Sequence, residues 1–391
     1  MKSNRTVKMN ILVIGIPFNE GMAGSLRVRN LLEPIVAEGK AVVSNLYSYP
    51  FYETSTSVCS DRLLAISLNP KNPSSVWAYL RDSFRFIKKV KKTGKNILYS
   101  YDTPDLKTIP LILFARWKGY KVILDIVEDS RSDSSTVSWL NKLRIRSGIY
   151  LLKMSNIYAD LVFVLSSHLE NLMKGYVTDQ SRVVFVPVTV DFGNYPKQIT
   201  YSKSPSKLFY GGSFAKKDGL QCLILAFDQV WKDYPNLELI LTGKGEIGPD
   251  FEAIMALIAS LPSKVNIHYL GYLSSKQYYK TLNEADIFIA NRNNSMAAYS
   301  GFPSKLIEYL ATGKAVIASE VGDVGRFLTH RKDALLVAPE NQLAMEQAIT
   351  LLLESPELIG AIGAEGRRTA LGQFDNKQHS KTVYKLFSEL S

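Results

Sequence analysis

From Asn10 to Val337 the chain alternates short apolar runs with stretches of helical period, and nothing else in it constrains the fold as tightly. In the first half the runs are Asn10–Ile16, Ala41–Leu46, Ile97–Ser100, Lys121–Ile126, Leu161–Leu165 and Val183–Val186. Between them the sequence predicts helices over Ser25–Glu38, Pro73–Lys92, Asp105–Lys118, Val137–Ser155 and His168–Lys174. The second half repeats the pattern, with strands at Lys207–Tyr210, Leu237–Thr242, Val265–Tyr269, Ile287–Ala290, Ala315–Ala318 and Ala334–Val337. Strands that are apolar along their whole length belong to parallel sheets covered on both faces. Such α/β domains bind ligands beyond the C-terminal ends of their strands. A chain of 391 residues has room for two of them. The stretch 192–206, FGNYPKQITYSKSPS, is polar, holds two prolines and has no apolar period, so it reads as a linker. The expected division is a first domain 1–191, the linker 192–206, a second domain 207–374, and a closing helix 375–391 that packs back on the first domain.

Composition excludes several classes. Cys59 and Cys222 lie too far apart in sequence to form a disulfide framework, and His168, His268, His330 and His379 have no metal-ligand spacing. No run reaches the ~18 apolar residues of a membrane span. The opening residues run into the first strand without a signal-peptide pattern, so a cytoplasmic protein is expected. Charge is one-sided. Residues 1–195 hold 26 Lys and Arg against 16 Asp and Glu, net +10, whereas residues 196–391 hold 21 against 20, net +1. A basic first half implies an anionic partner: nucleic acid, an anionic membrane surface or a phosphorylated substrate.

The chemical signals concentrate in the second half. GFPSKLIEYLATGKAVIAS (301–319) reads as turn, helix and strand. Pro303 suits a first helical position and Gly313 a left-handed helix end. The amides of Ser304, Lys305 and Leu306 would then be unpaired and would suit a phosphate or diphosphate. Glu308 lies one turn on, placed to accept hydrogen bonds from ribose hydroxyls. A second loop, Gly211-Gly212-Ser213-Phe214, leads into Lys217 and a further helix. Its paired glycines allow close approach of a ligand, and Lys217 suits neutralisation of a leaving diphosphate. A third, LTGKGEIG (241–248), contributes Gly243, Lys244 and Gly245. It matches the spacing of a dinucleotide fingerprint, but the strand after it, VNIHYLGYL, ends without an acidic residue.

These loops, in this order, resemble those of family four of the retaining glycosyltransferases (group 1 glycosyl transferases). The resemblance covers nearly the whole chain and is densest from Leu208 to Leu336. It implies the α/β GT-B fold, two Rossmann-like doubly wound domains facing a cleft, and a retaining hexosyltransferase using a UDP- or GDP-sugar donor. In that family two Glu residues eight positions apart contact the donor. The second corresponds to Glu308, which would hold the ribose, whereas position 300, nearer the sugar, has Ser300. Where the family often has Arg after the glycine turn, this chain has Ser213, so the cationic role falls to Lys217 with Lys305 or Arg292. No Asp-x-Asp occurs, so no cofactor and no metal are expected at the diphosphate.

The first half would then bind the acceptor. Its first strand–helix loop supplies Gly21, Gly24, Ser25 and Arg27. ILDIVEDSRSD (123–133) supplies Asp125, Glu128 and Asp129. Glu128 or Asp129 would orient the acceptor hydroxyl or stabilise positive charge on the sugar, or Asp129 would simply cap a helix. Two basic aromatic stretches, 77–95 and 139–155, read as interfacial helices or as solvated helix faces. The acceptors implied by the resemblance are saccharides, often lipid-linked, which would place the protein at the inner face of a membrane. The reading is therefore a glycosyltransferase of bacterial surface polysaccharide synthesis. A sugar-nucleotide epimerase of similar fold is the alternative. No nucleic-acid-binding motif accompanies the basic charge.

Overall fold

The computed structural model describes residues 9–17, 23–50, 58–59, 61–69, 71–133, 139–245 and 248–390. They form two compact units, one of Met1–Pro187 with Asn376–Ser391, the other of Val188–Asp375.

In chain order the first unit holds β1 (Met9–Ile14), α1 (Ala23–Ala37), β2 (Ala41–Pro50), β3 (Val58–Cys59), β4 (Leu63–Leu68), α2 (Pro73–Val90) and β5 (Asn96–Tyr101). It continues through α3 (Ile109–Trp117), β6 (Lys121–Ile126), α4 (Trp139–Lys153), α5 (Ser155–Tyr158), β7 (Leu161–Val164), α6 (Ser167–Lys174) and β8 (Val183–Phe185). The sheet order is β3-β4-β2-β1-β5-β6-β7-β8, parallel except for β3 against β4. Strand order reverses at β1/β5, where an α/β sheet opens a crevice for ligand. There Gly15 has φ +92°, and a Cβ on it would lie 2.8 Å from the carbonyl oxygen of Tyr101. The sequence pattern did not separate β3 and β4. LLAISL is a short apolar run that periodicity alone does not distinguish from helix.

The second unit holds β9 (Lys207–Gly211), α7 (Leu220–Asp233), β10 (Glu238–Thr242), α8 (Pro249–Ser260), β11 (Ile267–Tyr269), α9 (Ser275–Glu284) and β12 (Ile287–Ala290). It closes with α10 (Met296–Ser300), α11 (Ser304–Thr312), β13 (Ala315–Ser319), α12 (Val324–Phe327), β14 (Leu335–Val337), α13 (Gln342–Glu354) and α14 (Pro356–Phe374). Its order, β11-β10-β9-β12-β13-β14, is all parallel and reverses at β9/β12. Residues 192–206, expected as a linker, belong to this unit. Tyr195 is buried edge-on against Tyr279, and the Tyr201 hydroxyl donates to the Gly313 carbonyl at 3.2 Å. Two tyrosines inside a polar stretch anchor it to the unit, which composition averaged over the stretch conceals.

The last helix, α15 (Asn376–Glu389), is part of the first unit. It lies against α1, where Ser380 Oγ donates to the carbonyls of Asn30 and Leu31. Val383 and Phe387 enter the core beside Ile11, Val13, Tyr99 and Phe163. The Phe387 ring stacks on Phe163 with centroids 6.0 Å apart and meets Tyr99 at 6.5 Å. Among the described residues no helix is long and apolar enough to cross a membrane. Phe387→Ala removes a fully buried ring and should destabilise the first unit by roughly 3–5 kcal/mol. Denaturant unfolding checks this; an unchanged midpoint for the first unit would show that α15 contributes nothing to its core.

Candidate active site

In the second unit the strand ends carry two glycine loops pressed together. Gly243 has φ +150°, and a Cβ there would lie 1.8 Å from the Gly212 carbonyl oxygen, so backbone runs directly on backbone. The Gly212 amide donates to the Thr242 carbonyl at 3.0 Å, tying the end of β9 to the end of β10. The Tyr269 hydroxyl donates to the Gly243 carbonyl at 2.9 Å and accepts from the Gly245 amide at 3.1 Å. Phe214 packs edge-on against Tyr210, Phe251 and Tyr269 and fixes both loops from below. Lys244 is exposed, and the rest of the third loop, 246–247, lies outside the described residues.

Beyond Phe214 the chain makes a 3-10 turn, Lys216–Asp218, and enters α7 through Gly219, which is left-handed at φ +61°. The turn is clasped by the segment after β12. Asn291 Nδ2 donates to the carbonyls of Asp218 and Gly219, Asn293 Nδ2 to that of Lys216, and the Asn293 amide to that of Lys217. Ser213 Oγ donates to Asp218 at 2.8 Å, which turns its side chain toward the turn.

Helix α11 begins beside these loops. The Tyr309 hydroxyl accepts from the Gly211 amide at 2.8 Å and donates to the Gly211 carbonyl at 3.1 Å, so helix and strand end are bonded directly. Pro303 occupies the cap position, one residue earlier than expected. The Leu306 amide donates to the Pro303 carbonyl at 3.0 Å and is therefore not available to an anion. The amides of Ser304 and Lys305 find no acceptor among the described residues. Glu308 is only 6% exposed. Its carboxylate accepts from the Tyr278 hydroxyl at 3.0 Å and from Lys305 Nζ at 3.1 Å, and that ammonium lies 4.4 Å from the Tyr278 ring centre. Burial, with the Glu308 charge adding to it, pushes the Tyr278 phenol well above its ordinary range, so the phenol stays a donor. Ser300 is buried at the end of α10.

In the first unit β5, β6 and β7 end in a polar cluster. Asp129 is almost fully buried and receives Arg131 Nη2 at 2.6 Å and His168 Nε2 at 2.8 Å. Burial raises its carboxyl, but the bonds from Arg131 and His168 outweigh burial and hold it down at about 2. Glu128, next to it, is exposed. Asp102, at the end of β5, has φ +67° and accepts the Thr103 amide at 2.7 Å. Burial, opposed by that bond and reinforced by the charges of Glu128 and Asp125, pushes its carboxyl up to about 6.

The expected acceptor residues on α1 and β6 are placed differently. Arg27 and Asp125 are 4% and 0% exposed and form a bidentate pair at 2.8 Å. Arg27 also donates to the carbonyls of Val186 and Pro187, and Asp125 accepts the Tyr99 hydroxyl at 2.6 Å. These bonds use the groups an acceptor would need, so the pair is an internal tie of the sheet. Ser25 is buried and donates to the Pro17 carbonyl. Gly24 leaves room for the Tyr101 phenol, whose oxygen would lie 2.3 Å from an added Cβ. Gly21 lies outside the described residues.

Residues 191–369 match the family "Glycosyl transferases group 1". The match spans most of the second unit and somewhat under half of the chain. An uncharacterised glycosyltransferase of Methanocaldococcus jannaschii is 23% identical to it over 289 residues, covering 69% of this chain and 67% of the relative. The lipopolysaccharide core biosynthesis glycosyltransferase LpsD of Rhizobium meliloti is 27% identical over 176 residues, 45% of this chain and 47% of LpsD. Among solved structures, Anabaena HepE in complex with UDP-glucose superposes with a TM-score of 0.73 at 14% identity, over 98% of this chain and all of that one. The architecture is that of the GT-B glycosyltransferases, with two Rossmann-like units.

Within the second unit, sequence reasoning missed Asn291, Asn293, Tyr269, Tyr278 and Tyr309. The run NRNN directly after a strand was the available signal for the asparagines. The tyrosines act across tens of residues and leave no local trace. In the other unit it missed His168. The raised carboxyl of Asp102 has a testable sign. Its folded-state value lies above the ordinary ~3.9, so its contribution to stability is present below about pH 4 and is lost as pH rises through about 6. Asp102→Asn should flatten the fall in melting temperature across that window. An identical pH profile in calorimetry would refute the assignment.

Proposed function

We propose that the protein is a retaining glycosyltransferase that transfers a hexose from a nucleotide-sugar donor to a saccharide acceptor on a lipid carrier. The observation that carries this reading is the bond between Tyr309 and Gly211. It brings the first glycine loop, the open amides at the start of α11 and the neighbouring Glu308 into one site. In this reading Glu308 accepts the ribose hydroxyls. Tyr278 and Lys305 orient its carboxylate. Lys217 and the amides of Ser304 and Lys305 neutralise the diphosphate as it leaves. The glycines at 211, 212, 243 and 245 pack against their own neighbours and so set the shape of the loops that meet the donor.

The chemical step is same-face substitution. The bond from the anomeric carbon to the diphosphate oxygen breaks as an oxocarbenium-like sugar forms. The departing oxygen takes the acceptor hydroxyl proton, and the acceptor oxygen bonds the same face. The protein contributes position and charge rather than a nucleophile. Glu128, with Asp129 held by Arg131 and His168, orients the acceptor. HepE's bound UDP-glucose favours a uridine donor, and LpsD, a lipopolysaccharide core biosynthesis enzyme, favours a surface polysaccharide as product. Incubation with the donor alone separates this reading from an epimerase, which would interconvert the sugar without an acceptor.

Charged hydrogen bonds are worth about 1.5–3 kcal/mol each. Glu308→Ala should therefore weaken donor use by roughly 10–100-fold. Ser300→Ala, at a neutral side chain, should cost about 0.5–1.5 kcal/mol. Donor titration and turnover of folded variants measure both, and wild-type values for Glu308→Ala would remove the ribose assignment. With cationic side chains and amides at the diphosphate, transfer should survive excess chelator. Loss with EDTA and recovery with Mn²⁺ would overturn that description of the site.

A further inference from the structure

Helix α2 carries Trp77, Arg81, Phe84 and Lys88 at spacings of four, three and four residues, which places them on one stripe. The stripe does not end at the helix edge. Phe84 stacks on Phe114 of α3 with ring centroids 4.4 Å apart, and Lys88 Nζ lies 5.7 Å from the same ring. Phe114 in turn packs against Trp117 at 5.7 Å, and Lys118 Nζ sits 3.7 Å over the Trp117 ring. Leu113, one turn before Trp117, is exposed, and Trp77 and Trp117 are each 72% exposed. Two helices thus share a continuous face in which large apolar side chains meet water between ammonium and guanidinium groups.

A tryptophan is seldom so exposed without a partner, and a contiguous patch of this kind marks an interaction site. Charge identifies the partner. Segments 73–95 and 106–121 together hold eleven Lys and Arg and one acidic residue, Asp82. The flanking Asp61, Asp105 and Asp160 each pair with one of those cations, Lys89, Lys107 and Arg116. Two such faces on two copies of the chain would repel one another. A surface that offers anionic headgroups above a hydrocarbon layer answers both features. Indole rings settle at the headgroup level, and Lys and Arg extend along the rim. We propose that the outer face of α2 and α3 docks the protein on an anionic lipid bilayer. This deepens the reading of a lipid-linked acceptor, and to the stretch 77–95 it adds α3, a helix whose apolar sequence gave no such signal.

The test is co-sedimentation with vesicles of phosphatidylcholine alone and of phosphatidylcholine with phosphatidylglycerol, at low and high salt. The wild-type chain should bind the anionic vesicles at low salt and be released at high salt. Trp77→Ser/Trp117→Ser and Lys88→Glu/Lys118→Glu should each weaken binding by about tenfold or more. Both should keep the wild-type thermal shift with UDP and UDP-glucose, because none of these residues belongs to the donor site. Equal binding to neutral vesicles, binding unaffected by either double substitution, or no binding would overturn the proposal. So would a dimer that the Trp variant converts to monomer, or an RNA duplex that displaces the vesicles. Loss of the donor-induced shift in the wild type would instead count against the glycosyltransferase reading and leave the vesicle result standing.

Discussion

The hydroxyl of Tyr309 bonds both the amide and the carbonyl of Gly211, and the arrangement of the second unit depends on it. Gly211 is the last residue of the central strand, where the ladder runs out and its backbone groups need other partners. Tyr309 supplies them from a helix ninety-eight positions later in the sequence. A buried hydroxyl with both donor and acceptor roles filled is costly to displace. It therefore fixes the height of α11 against β9, and with it the position of Glu308 relative to the glycine loops. The asparagine clasp at Asn291 and Asn293 does the same for the turn carrying Lys217. Both devices bind backbone rather than side chains, so they set loop shape independently of what the loop residues are.

In the first unit the comparable tie is the Arg27–Asp125 pair with Tyr99 and the carbonyls at Val186 and Pro187. It joins α1, β5, β6 and the segment after β8 beneath the strand ends. A buried ion pair of this kind contributes little net stability over an apolar replacement, but it tolerates only one arrangement of its partners. Its role here is to keep that arrangement below a surface lined by Asp102, Glu128, Asp129 and His168.

The fold was legible because alternation of apolar strands and helices is a local property. Six strands of each half and the helices between them follow from it, and Gly313 at φ +78° ends α11 where a left-handed residue was expected. The loops were legible where close packing demands a residue type that stands out in sequence, as at Gly212 and Gly243. The site was not legible where function and structure use the same residues. Arg27 and Asp125 look like a polar site in sequence, and only burial shows them to be an internal pair. Asp102, in a left-handed conformation that few non-glycine residues adopt, has nothing beside it in sequence to announce either its geometry or its proton affinity. Residues 192–206 were misread for a related reason, since two tyrosines outweigh the polar residues around them once packed.

The first unit is discontinuous, because residues 188–375 intervene before α15 returns to it. Phe387 and Val383 fill a core whose other members, Ile11, Val13, Tyr99 and Phe163, precede them by more than two hundred positions. On the ribosome the first sheet emerges early, yet α1 covers its face toward this core only in part until α15 arrives. The second unit has all its strands in one continuous stretch and can close while the first still waits. The first unit therefore closes only after the second has been made, and the apolar surface that Val383 and Phe387 cover stays exposed in the meantime.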